Sequence, residues 1–146
     1  MKPIEAEVQK ARALLLEGGY TCVLRLGDQI YHSKERGVKP LLAFLNSEIC
    51  FEGSCAADKT IGAGAAHLYV LLGVCAVWGR VISKSALQVL EENGIAVFYD
   101  ECVPNIINRQ GDGICPIERA VASARSSEEA RRIIEKTLQE LAKKTG

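Results

Sequence analysis

Between Ile61 and Gly79 the chain carries no formally charged side chain, and a stretch of that length has few places to go. It either spans a bilayer, which takes ~20 apolar residues, or forms the centre of a buried core. The make-up of the run favours the core. Gly62, Gly64, Gly73 and Gly79 interrupt it, His67 adds a polar ring, and its character changes halfway along. An Ala/Gly/Leu-rich first part gives way to Val74-Cys75-Ala76-Val77-Trp78, which is β-branched and aromatic. The run therefore predicts a buried helix, a stop at Gly73 and a buried strand.

The stretch just before it sets the start of that helix. Cys55-Ala-Ala-Asp58-Lys59-Thr60-Ile61-Gly62 reads as a loop end and a helix mouth, with Asp58 as N-cap and the helix running from about Asp58 to Leu72. In this reading Gly62 and Gly64 allow close packing of the helix on a sheet. His67 reads as a core histidine with one hydrogen bond rather than as a ligand or base.

The rest of the chain falls around this centre. Ile4, Val8, Ala11 and Leu15 recur at helical spacing up to Gly18-Gly19. Tyr20 to Leu26 and Gln29 to Ser33 read as two strands joined by Gly27-Asp28, a hairpin signal. A short helix follows Pro40, and Asn46 to Ala57 is read as loop. Val74 to Ile82 is a strand, Ser83-Lys84-Ser85 caps a helix ending at Asn93-Gly94, and Ile95 to Tyr99 is the last strand. A short helix begins at Pro116. Ser126 with Glu129 forms a capping box for a final helix burying Ile133, Ile134, Leu138 and Leu141. Hairpin first and strand–helix alternation afterwards imply a three-layer α/β domain over residues 1–146. Its mixed sheet, an N-terminal hairpin plus parallel strands, is covered by helices on both faces.

Composition narrows the function. Eighteen basic residues balance eighteen acidic ones, so no net field draws nucleic acid or an anionic membrane, and neither is expected as a partner. Six cysteines occur without an apolar signal core at Met1-Lys2-Pro3-Ile4-Glu5. This implies a reducing cytoplasm and free thiols. Cys22, Cys50, Cys75 and Cys102 lie in or beside apolar runs and read as core.

The blocks "ADKTIGAGAA", "VISKSALQVLEENGIAVFYDECVPNIINR" and "GDGICPIERAV" resemble an uncharacterised family of bacterial and archaeal proteins with a cytidine-deaminase-like fold. The resemblance covers roughly Leu14 to Ala124. It implies that fold and a homodimer, and it brings no agreed activity.

Zinc deaminases hold their metal at two helix starts, with His or Cys two residues before a Glu at one and Pro-Cys-x-x-Cys at the other. The corresponding positions here are Ala57-Asp58-Lys59 and Ser83-Lys84-Ser85-Ala86, with no thiol or imidazole. Cys50-Phe51-Glu52 matches Cys-x-Glu, but Gly53 follows at once and no Cys-x-x-Cys lies downstream. A site scattered over Cys50, Cys55, Cys102 and Cys115 follows no known ligand spacing. No metal or other cofactor is expected.

What remains is a crevice at the carboxyl ends of the parallel strands, where open α/β sheets bind ligands. Three segments are expected to meet there: Cys55 to Lys59, Ser83 to Ser85, and Asn108 to Gly113. Their chemistry suits a small polar ligand, nucleotide-like in class. Lys59, Lys84 and Arg109 supply positive charge, and Asp58 or Asp112 accepts a hydroxyl or amine hydrogen bond. Two other classes stay open. One is a non-zinc enzyme using Asp58 as acid/base or Cys115, before Pro116 at a helix start, as nucleophile. The other is an interaction module with a vestigial pocket.

Overall fold

The computed structural model describes residues 3–108 and 110–145. The first helix, α1 (Pro3–Gly18), buries Val8, Ala11 and Leu15 completely, the stripe that its spacing predicts. β1 (Cys22–Leu26) and β2 (Gln29–Ser33) form the expected antiparallel hairpin around Gly27-Asp28, with Leu26 opposite Gln29. The short α2 (Lys39–Asn46) carries Pro40 in its first turn, where a missing N–H costs nothing.

The structure then departs from the sequence reading. Cys55–Ile61 is a strand, β3, and the helix behind it, α3 (Ala63–Leu72), begins five residues later than Asp58. Alanine and lysine favour a helix locally, but this segment lies at the centre of the sheet. It hydrogen-bonds antiparallel to β1, with Cys22 opposite Asp58, and parallel to the next strand, β4 (Ala76–Ser83), with Cys55 opposite Ala76. Two ladders outweigh a weak local preference. Small side chains suit the position. Ala57 faces α1 on one side and Ala56 faces the α3 layer on the other, so helices approach the central strand closely from both sides.

The uncharged run beyond it behaves as read. α3 is almost wholly buried, and Gly73 stops it with a left-handed φ of 79°, its N–H reaching the carbonyls of Tyr69 and Val70. β4 follows. Among the described residues no helix is long and apolar enough to cross a membrane. The chain continues through α4 (Lys84–Glu92), whose N-cap Ser83 accepts from the Ala86 N–H, into the edge strand β5 (Ala96–Val103). A five-residue α5 (Pro116–Ala120) and a single 3₁₀ turn at Val121–Ser123 lead to α6 (Ser127–Thr145). Ser126 Oγ accepts from the Glu129 N–H at 3.1 Å, as the capping pattern requires.

The sheet order is β2-β1-β3-β4-β5, antiparallel through the hairpin and parallel from β3 to β5. On one face α1 closes a core of Val8, Ala11, Leu15, Val23, Ala57 and Trp78. On the other, α3, α4 and α6 bury a larger one that includes Leu24, Val77, Leu68, Tyr69, Leu90 and Ile134. This is a three-layer α/β architecture with a mixed sheet. Of the cysteines read as core, Cys22 is buried and Cys75 and Cys102 are half-buried, whereas Cys50 is exposed.

Candidate functional site

The parallel strands end side by side at Ile61 and Ser83, and each runs straight into the first turn of a helix. A helix start leaves backbone N–H groups without partners. At α3 the N-cap is Gly62, which has no side chain to offer. The missing acceptor comes from far along the chain. Glu118 of α5 accepts from the Ala63 N–H at 3.3 Å, and the same oxygen, Oε1, accepts from the hydroxyls of Ser83 and Ser85, both at 2.7 Å. Its other oxygen, Oε2, accepts from the Ile106 N–H at 3.3 Å. One carboxylate, only 5% exposed, thus joins the starts of α3 and α4 to the connection after β5.

Two glycines make that approach possible. A Cβ on Gly62 would lie 2.7 Å from Glu118 Oε2, and one on Gly64 would lie 2.5 Å from Ile117 Cγ2. Both glycines admit α5. These contacts are between helices and not the helix–sheet packing expected of the two glycines; at Gly79 of β4 a Cβ would meet Ile61 Cδ1 of the neighbouring β3 at 2.8 Å, a contact between strands.

Beside the Glu118 junction lies a cleft of ≈ 720 Å³ between α3, α4, α5 and the start of α6. Its polar lining includes Ser85, Glu118, Asn105, His67, Arg119 and Arg125. Apolar side chains such as Val70, Val89 and Ile114 complete the wall. His67 is half-buried, and burial pulls its imidazole pKa below the usual value. Its Nδ1 lies 3.0 Å from Ser127 Oγ, the one hydrogen bond read from the sequence, but the ring lines the cleft instead of the core. The volume of this cleft falls in the range of small-molecule clefts.

The sequence-derived site residues are dispersed. Asp58 does not cap a helix; it sits within β3, 8% exposed, under α3. There it accepts from Tyr69 Oη at 2.7 Å and from the Thr60 N–H at 3.2 Å, and Tyr69 Oη in turn lies 3.4 Å from Cys22 Sγ. Burial pushes the Asp58 carboxyl up to about 7 against the pull of these donors, and burial also raises the Tyr69 phenol and the Cys22 thiol. Lys59 and Lys84 are exposed. Asp112 is exposed in a turn closed by Asn108, whose Nδ2 donates to it at 2.9 Å and whose Oδ1 accepts from its N–H at 3.2 Å. Cys115 is the half-buried N-cap of the five-residue α5 and gives its N–H to the Ile106 carbonyl at 2.9 Å. Arg109 lies outside the described residues. Of the three segments expected to meet, Ser83–Ser85 does reach the junction, and Gly62-Ala63 takes the place of Cys55–Lys59.

The residues present do not fit a zinc-deaminase centre. The true helix starts, Gly62-Ala63-Gly64-Ala65 and Ser83-Lys84-Ser85-Ala86, hold no thiol or imidazole, and the space between them is taken by the chain's own carboxylate. Among the described residues no three His, Cys, Asp or Glu side chains are grouped to hold a metal ion.

Residues 10–138 match the sequence profile of TM1506, a domain of unknown function (DUF1893). The chain belongs to the DUF1893 family. A crystal structure of a DUF1893 family protein, TM1506 from Thermotoga maritima, is similar over 90% of both chains, with 28% identity and a TM-score of 0.83. Two crystal structures of dCMP deaminase from the cyanophage S-TIM5 show a more distant likeness, over 68% of this chain. The apo form has 18% identity and a TM-score of 0.45, and the complex with dCMP and dUMP has 14% and 0.43. No curated protein matches the chain.

Within the described residues, the candidates include none of those that line this cleft, among them Glu118, His67, Arg119, Arg125 and Ser127. Glu118 leaves one faint trace in the sequence, an acid between Ile117 and Arg119 on a very short helix. Nothing local ties it to Gly62, 56 positions away.

Proposed function

We propose that this DUF1893 protein binds a small polar ligand, nucleotide-like in class, in the cleft between α3, α4, α5 and α6. The observation that carries the reading is the lining. Arg119 and Arg125 offer positive charge beside the acids Glu92, Glu118 and Glu128, Ser85, Asn105 and Ser127 offer hydrogen bonds, and Val70, Val89 and Ile114 offer an apolar wall for a flat ring. In this reading residues 1–146 act as one domain in the cytoplasm, as a monomer or homodimer, without zinc.

A thermal-shift screen against nucleosides, nucleotides, nucleotide sugars and other phosphorylated metabolites tests it. One chemical class should raise the midpoint, by about 2.7 kcal/mol of stability at a hundredfold excess over Kd. Arg119→Ala and Arg125→Ala should abolish that shift. Asp58→Ala, Lys59→Ala, Lys84→Ala and Asp112→Ala distinguish the residues assigned from sequence from the cleft lining. No shift from any class would refute the binding reading and favour an interaction module.

A second reading has one observation behind it. Burial pushes the Asp58 carboxyl up to about 7, the range that suits an acid/base group, but the residue lies beneath α3 and outside the cleft lining. A non-zinc enzyme using Asp58, or Cys115 as nucleophile, predicts turnover of the bound ligand that Asp58→Asn or Cys115→Ala removes while affinity persists.

A further inference from the structure

At the far end of the same two strands, away from the cleft, two thiols face each other. Cys55 opens β3, and Cys75 immediately precedes β4, whose first residue, Ala76, is the ladder partner of Cys55. That register brings the sulfurs to 3.7 Å. Cys55 is 5% exposed, whereas Cys75 is half-buried and gives its Sγ–H to the Gly53 carbonyl at 3.3 Å. A second cavity, of ≈ 330 Å³, opens on both cysteines and is lined also by Ile4, Glu7, Arg25 and Gly53. It gives a small reagent access to the pair.

The two thiols are unequal. Burial, and then the neighbouring Cys75 sulfur, push Cys55 up to about 12. Arg25 opposes this only weakly, since its guanidinium is held by Glu7. Cys55 therefore stays a protonated thiol near neutral pH, and Cys75, the more exposed of the two, is the one that a reagent reaches first.

We propose that Cys55 and Cys75 form a dithiol that reacts with small hydroperoxides, Cys75 attacking and Cys55 resolving. The Cys75 sulfur gives up its proton and attacks one peroxide oxygen. The S–O bond forms, the O–O bond breaks, and the departing oxygen takes a proton and leaves as water or alcohol. Cys75 is oxidised to the sulfenic acid and the peroxide is reduced. Cys55 Sγ then attacks the Cys75 sulfur. The S–S bond forms, the S–O bond breaks, and the thiol proton leaves with the hydroxyl as water. The sulfurs close from 3.7 Å to the ~2.05 Å of a disulfide. The new bond encloses the β3–α3 crossover, so it restrains the unfolded chain and raises thermal stability. A reversible disulfide of this kind is the form expected in a reducing compartment.

The test uses the full chain, reduced, then treated with equimolar hydrogen peroxide and quenched with iodoacetamide. Digestion at Lys59 and Glu52 separates Cys50, Cys55 and Cys75 into different peptides for mass spectrometry without reduction. The expected result is a Cys55–Cys75 cross-linked peptide, the loss of two of the six thiols, and a higher Tm. Dithiothreitol should reverse all three. In Cys55→Ser the sulfenic acid should persist on Cys75 and react with dimedone. Recovery of both cysteines alkylated, or cross-links that join other cysteines while these two remain free, would overturn the pair. A sulfenic acid trapped on Cys55 would overturn the assigned roles.

Discussion

Glu118 and Asp58 are both carboxylates buried to within a few per cent, and the structure treats them in opposite ways. Glu118 lies where two helices begin, and four donors from three separate parts of the chain converge on it. Asp58 lies in the middle of a strand beneath α3 and has one phenol and one backbone N–H. At Asp58 the loss of water wins over those donors, and the carboxyl rises to about 7. Burial alone does not say what a carboxylate does. What matters is whether the backbone around it ends in free N–H groups, as at a helix start, or has already spent them in a sheet ladder.

The largest effect expected from this contrast is in the pH dependence of stability. Asp58 binds its proton more tightly folded, near 7, than unfolded, near 3.8. Its contribution is therefore complete below about pH 4 and is lost as pH rises through about 7. At about 1.4 kcal/mol per pKa unit, the loss is of order 4 kcal/mol. Urea melts from pH 4 to pH 8 should show that decline in the native protein and not in Asp58→Asn, which should be the more stable of the two at pH 8. Parallel curves would remove the contrast.

Next in size is Glu118→Ala. It strands the N–H groups of Ala63 and Ile106 and frees two serine hydroxyls, for a loss of about 3 kcal/mol. Chemical denaturation at pH 7 measures it, and a loss below about 1 kcal/mol would make the junction incidental. The smallest is Gly62→Ala, which drives a Cβ to 2.7 Å from Glu118 Oε2 and 3.2 Å from Ile106 Cγ1. Overpacking there should cost about 2 kcal/mol. In the Glu118→Ala background the same change should cost less, since the carboxylate that it strikes is gone. That double-mutant cycle sharpens the comparison by isolating the contact.

Much of the fold was legible because its signals are local. The α1 stripe of Val8, Ala11 and Leu15, the Gly27-Asp28 hairpin, the Gly73 stop, the Ser83 cap and the Ser126 capping pair each depend on residues within a turn or two of one another. Of the candidate site, only the Ser83–Ser85 turn at the strand ends was placed where the structure has it. The ligand residues were sought at a helix mouth around Asp58, and that mouth is five residues further on.

The amino-acid sequence by itself determined the alternation of helices and strands, the burial of the run from Ile61 to Gly79 and the three-layer class, because periodicity and capping act over short distances. Only the tertiary structure decided that Cys55–Ile61 is the central strand, since its two ladders come from β1 and β4 and outweigh its own helical leaning. The same holds for Glu118 at Ala63 and for Cys75 at Cys55. Those pairs are set by how distant segments register against one another, and no local pattern carries that information.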